Sequence, residues 1–152
     1  MHIGNYIALA HDSEQELTKA LRQVADHHKD EPDIEQVCQL LATWSEKHVN
    51  ELKPFVERYS EEKSDEPERL MQSLFDEPRS GGLALLRDLH DLWLMANEAE
   101  LCWIVLSQAA QGLHDKELEE ACARFRDDTK RQLAFLLTRI KVAAPQTLIA
   151  AD

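Results

Sequence analysis

Apolar residues recur at alternating steps of four and three along four long segments of the chain. In the first, Ile3, Ile7, Ala10, Glu14, Leu17, Leu21, Val24 and His28 form one such stripe, the pattern of a helix packed in a bundle. The second stripe reads Ile34, Val37, Leu41, Trp44, His48, then Glu51 or Leu52, Phe55 and Tyr59. The third reads Leu86, His90, Trp93, Asn97, then Glu100 or Leu101, and Ile104, and the fourth Leu118, Cys122, Phe125, Thr129, Leu133, Leu136 and Ile140. These stripes predict helices over about Ile3–Lys29, Pro32–Tyr59, Gly82–Gln111 and Lys116–Ala143. Pro32 suits a first helical turn, where its missing donor costs nothing. Ser80 and Asp115 are placed to cap the third and fourth helices, Pro145 to stop the last, and Pro54 to kink the second. The 21-residue connection Ser60–Ser80 opens on an acidic run, and a short helix is expected over Pro67–Phe75. No strand pattern occurs, so the expected fold is all-α, with residues 1–152 forming a single helical bundle.

Each stripe carries a polar intruder, and chain geometry predicts which intruders meet. A hairpin turning near residue 31 sets Glu14 opposite His48 and His11 opposite Glu51. A second turn near residues 113 and 114 sets Thr129 opposite Glu98 or Ala99, with Asn97 and Glu100 within a turn of that level. A helix of this length spans about 40 Å, which 21 extended residues can recross at about 3.3 Å each. If the connection crosses the bundle, Glu14, His48, Asn97 or Glu100, and Thr129 share one layer. In a simple up-down-up-down bundle, His90 and Trp93 would face His48 instead. Buried polar groups need partners, so the crossover is the expected arrangement.

Two antiparallel helix pairs joined by a long crossover, with Glu14 and His48 in the core, resemble the ferritin-like superfamily. The resemblance covers almost the whole chain at the level of architecture and spacing. It implies a dinuclear metal site built from glutamates of two helices and a Glu-x-x-His on each of the other two. Position by position, it assigns Glu14 to the first helix, His48 to the second, and Glu100 to the third, with Glu98 the second choice. This chain departs from that pattern where Ser45 precedes His48 by three, and where Arg126 and Thr129 replace the last Glu-x-x-His. A ferritin-like bundle without a working di-iron oxidase site is therefore expected.

Two smaller readings of the same residues follow. His11-x-x-Glu14 and His48-x-x-Glu51 each place both side chains on one helix face, a set suited to a single iron, manganese or zinc ion. The alternative is a metal-free polar layer of Glu14, His48, Asn97 and Thr129, with Arg126 inserting its charge beside them. The metal-free layer is the leading expectation, so no cofactor is expected.

Composition narrows the classes further. Seventeen basic against 29 acidic residues give a net charge of −12, which disfavours nucleic acid and anionic lipid. A hydrophobic fraction of 43 % with only 4 glycines excludes a disordered or collagen-like chain. No basic, apolar leader opens the chain and no run matches a membrane span, so a cytosolic protein is expected. Cys38, Cys102 and Cys122 have no Cys-x-x-Cys spacing and are expected as buried thiols. His27-His28 is expected as a solvated helix end. Leu85, Leu89, Leu92, Ala96 and Trp103 give the third helix a second apolar stripe, which predicts cover from Met71, Leu74 and Phe75 or from a second copy, and a homodimer through helix three is the expectation. The expected function is non-enzymatic; a metal-dependent protein and a helical adaptor acting through helix three are the alternatives.

Overall fold

The computed structural model describes residues 1–63 and 75–150. Four helices form an all-α bundle: α1 (Ile3–His27), α2 (Pro32–Arg58), α3 (Ala84–Gly112) and α4 (Lys116–Pro145). Asp115 caps α4, its carboxylate accepting from Leu118 N at 3.1 Å. Ser80 does not cap α3. That helix starts later, at Ala84, after Gly81 turns the chain at φ 97°, a value natural to glycine. Pro54 lies inside α2, which continues to Arg58. Pro145 does not stop the last helix either. The chain runs on through a π-helical turn, Gln146–Ala150.

Contacts at the two ends of the bundle set the helix directions. At one end, His28 meets Asp88 at 2.8 Å, and Arg139 meets Glu31 at 3.3 Å and Asp33 at 2.7 Å. At the other, Gly4 N donates to Glu62 O at 2.8 Å, while Arg58 and the Tyr59 hydroxyl both donate to Asp115. Hence α1 is antiparallel to α2 and α3, α4 is antiparallel to α2 and α3, and α2 and α3 point the same way. Most of the short helix expected over Pro67–Phe75 lies outside the described residues, as do Met71 and Leu74. Phe75 is described and is buried outside any helix.

The apolar core is in two parts. One surrounds Leu17, Leu21, Ile34, Leu41, Leu89, Leu92 and Leu136; the other surrounds Ile7, Leu52, Trp103, Leu106, Leu118 and Phe125. The first stripe is buried throughout, from Ile3 to His28. Helix α3 is turned differently from expectation. It buries Leu89, Leu92, Ala96, Ala99, Trp103 and Leu106, whereas His90 is exposed and Asn97 and Ile104 are only half-buried. The reason is that α3 is apolar on several faces, and the stripe with more leucines and alanines packs closer against α1 and α4.

The expectation of a solvated His27-His28 pair is corrected at His28. Its imidazole is buried and bonded to Asp88, which is fully buried and also accepts from the backbone N of Arg79 at 3.1 Å. Arg79 reaches Asp91 at 2.7 Å as well, so the end of the long connection is tied to the start of α3 and the end of α1. The expectation about apolar length also changes. The continuous helical stretch Lys116–Ala150 is long and apolar enough to cross a membrane by length and composition. Little of its apolar window is buried: Leu136 and Ala143 are, whereas Leu137, Val142, Leu148 and Ile149 are exposed, and Arg139 is ion-paired.

At Gly4 the start of α1 lies close against the backbone that follows α2. A Cβ there would meet the carbonyl oxygens of Tyr59 and Glu62, the second at 2.6 Å, and backbone cannot swing aside as a flexible side chain can. Gly4→Ala is expected to cost about 1–3 kcal/mol, read as a lower denaturant midpoint. An unchanged midpoint would show that the segment after α2 moves away freely.

Candidate functional site

At mid-bundle three helices converge on one imidazole. His48 of α2 is buried, with Nδ1 2.9 Å from Glu14 Oε2 of α1 and Nε2 3.0 Å from Asp128 Oδ2 of α4. Ionised carboxylates only accept, so both bonds form together when the ring is an imidazolium donating from each nitrogen. Burial pulls the His48 pKa down, but hydrogen bonds and charge from Glu14, joined by those from Asp128, outweigh it and leave the pKa raised. Phe125 and Trp103 wall the ring, their centroids 4.8 and 6.0 Å from its own.

The layer continues on both sides of His48. Trp103 Nε1 donates to Thr129 Oγ1 at 3.1 Å, and Thr129 donates to Phe125 O at 2.8 Å. One turn along α2, Gln132 Nε2 donates to Ser45 Oγ at 2.9 Å and to Leu41 O at 3.0 Å. Thus Glu14, His48 and Thr129 form a polar level between the two apolar clusters, with Ser45 and Gln132 one turn away. Glu14 Oε1 is buried there without a hydrogen-bond partner.

Glu14 and His48 therefore meet, Thr129 is bonded instead to Trp103 and Phe125 O beside them, and the other sequence candidates do not join them. His11 is paired with its neighbour Asp12 at 3.7 Å rather than with Glu51. Glu51 lies near Lys47 and Arg124, at 3.8 and 3.9 Å. The predicted cross-pairing fails because Glu51 is turned away from α1, toward Arg124 of α4 and Lys47 of its own helix. Arg126 is not inserted into the core. Its side chain is 43 % exposed and its guanidinium stands 3.5 Å from Glu100. Asn97, displaced by the rotation of α3, takes no part in the hydrogen bonds that hold the layer. Among the described residues, no group of three or more His, Cys, Asp or Glu is arranged to hold a metal ion.

Sequence reasoning missed Asp128, Gln132, Ser45 as an acceptor, and Trp103 as a donor. Asp128 precedes the seam position Thr129, so its backbone points off the core, and only the reach of its carboxylate brings it to His48. Its side chain is 31 % exposed, which gives the network one solvated edge. The three cysteines are free and buried, and burial pushes each thiol up to about 12. They stay protonated at neutral pH and are poor nucleophiles.

Removing the imidazole strands two carboxylates, one of them fully buried. His48→Ala is expected to lower stability by about 3–5 kcal/mol, measured by denaturant unfolding. The pH dependence follows from the raised pKa. A histidine that binds its proton more tightly when folded stabilises fully below its unfolded value of about 6.5 and loses that contribution as pH rises through the folded value. The wild-type midpoint, compared with that of His48→Gln, should therefore fall more steeply above pH 6.5. Parallel profiles would show that His48 is neutral in the fold.

No family model, curated protein or solved structure was found to match the chain, so what the site can do is read from its own geometry.

Proposed function

We propose that this chain is a cytosolic, ferritin-like four-helix bundle without a working di-iron oxidase site, a non-enzymatic protein whose centre is locked by an ion-pair network. The observation that carries the reading is the engagement of both His48 nitrogens by carboxylates of two different helices. A ligand histidine keeps one nitrogen free for its metal. The donor set of a dinuclear centre is not met by the residues present. Ser45 and Thr129 stand where carboxylate and imidazole are needed, and Arg126 has no lone pair to offer. Glu100, the third-helix candidate, faces Arg126. Holding even one ion at Glu14 and His48 would require the ring to give up a carboxylate and lose its proton, against its raised pKa.

A histidine bridging two carboxylates in a layer between two greasy clusters fixes the register of α1, α2 and α4. Such registry is the best-attested use of buried charge. The reading assigns no substrate and no cofactor.

Aerobic titration with ferrous iron, followed by absorbance and metal counting, tests it. The expected result is no oxo-bridge absorption and fewer than two tightly held irons per chain. Two tightly held irons per chain would show that Asp128 and His48 part to admit metal, and would overturn the proposal.

A further inference from the structure

Overall charge disfavours anionic lipid, but it averages over faces that differ. From Thr129 to Ala150 the chain has no acidic residue and four basic ones, Lys130, Arg131, Arg139 and Lys141, although the whole carries −12. Arg139 is held by Glu31 and Asp33. Lys130, Arg131 and Lys141 are exposed and enter no ion pair with the described residues.

Helical spacing sets these cations among apolar side chains. Lys130, Ala134, Leu137, Lys141, Pro145 and Leu148 follow one another at steps of four and three, and all are exposed. Val142 and Ile149 lie beside that line, while Thr129, Gln132, Leu136 and Ala143 form the buried face. Leu137, Val142, Leu148 and Ile149 are 43 %, 48 %, 64 % and 82 % exposed. An 18-residue window of this helical stretch is apolar enough to cross a membrane, and only 11 % of it is buried.

Charge selects what covers this face. A second copy seated by two-fold symmetry would bring the same patch, setting cation against cation with no carboxylate between Thr129 and Ala150 to receive them. The lysines also stand on the same line as Leu137 and Leu148, not on a polar face of their own. A protein groove would strip such ammonium groups of water. At a lipid surface their stems follow the apolar side chains while the charge stays among the headgroups. Crossing the bilayer is prevented by the packing of Leu136 and Ala143 in the core and by the pairing of Arg139. The acidic charge of the far helices acts weakly, because the bundle is two helices or about 20 Å thick and physiological salt screens charges beyond about 8 Å.

We infer that the protein docks peripherally on anionic lipid bilayers through the outer face of α4 and the turn that follows it. Lys130, Arg131 and Lys141 meet the anionic headgroups, and Leu137, Val142, Leu148 and Ile149 enter the boundary with the acyl chains. This goes beyond the reading of the bundle centre and does not depend on whether that centre binds metal.

Flotation of the full chain with vesicles of phosphatidylserine and phosphatidylcholine in equal parts tests it. The protein is expected to float with them at low salt, less in concentrated salt, and about tenfold less with phosphatidylcholine alone. Lys141→Gln should weaken partitioning about fivefold and Leu148→Ser about tenfold. Both residues are exposed, and circular dichroism should show both variants folded. Leu40→Ser, exposed on α2, should float like the wild type. A folded wild type that does not float, or that floats equally with phosphatidylcholine alone, overturns the proposal. So does partitioning indifferent to both Lys141→Gln and Leu148→Ser, and so does retention through alkaline carbonate, the mark of a chain that spans the bilayer.

Discussion

The bundle depends on an ion pair at its centre. His48 lies between Glu14 and Asp128, so three of the four helices share one proton-rich contact in the middle of an otherwise apolar core. Buried charge is expensive, and a buried pair contributes less to stability than its attraction suggests, because both ions lose their water. What the contact supplies is position. A slip of one helix by a turn would leave two carboxylates and an imidazole unpaired in a greasy environment. Ser45 and Gln132 repeat the same demand one turn away, with a neutral hydrogen bond.

The polar level also explains how the two hairpins are joined. Within α1–α2 and α3–α4 the contacts are largely apolar. Between α2 and α4 polar contacts recur from end to end, from Arg58 and Asp115 through His48 and Asp128 to Arg139 and Asp33. The longer reach of these side chains lets α2 and α4 stand apart while still being tied. On the opposite side of the bundle, α1 and α3 are closed by apolar packing and by the buried His28–Asp88 pair.

Much of this was legible in the sequence, and the reasons for the remainder are physical. Every residue of the first stripe is buried, although Leu9, Ala20 and Ala25 beside it are buried too, because α1 has one broad apolar face and a polar back. Glu14 and His48 were found as partners because a hairpin of known turn fixes which levels face each other. The face of α3 was not legible, since two stripes of similar weight compete and only packing against α1 and α4 chooses between them. With that rotation went Asn97. Asp128 escaped because stripe analysis follows backbone direction, and a carboxylate one residue off the seam can still reach inward. His28 and Asp88 escaped because their pairing depends on where the long connection ends, and Arg79 completes it from that connection.

The division of the core into two apolar clusters has a consequence for how the molecule comes apart. Cooperativity in unfolding is carried by shared apolar contacts, and the central charged level interrupts them. Amide exchange in such a bundle proceeds in units, each end opening with a free energy of its own below that of global unfolding. The end holding Trp103 and Phe125 is closed by the Arg58–Tyr59–Asp115 cluster, and the other end by Asp88 with His28. The slowest amides should then lie at the boundary itself, around Glu14 and His48, where both units must open before water reaches the chain.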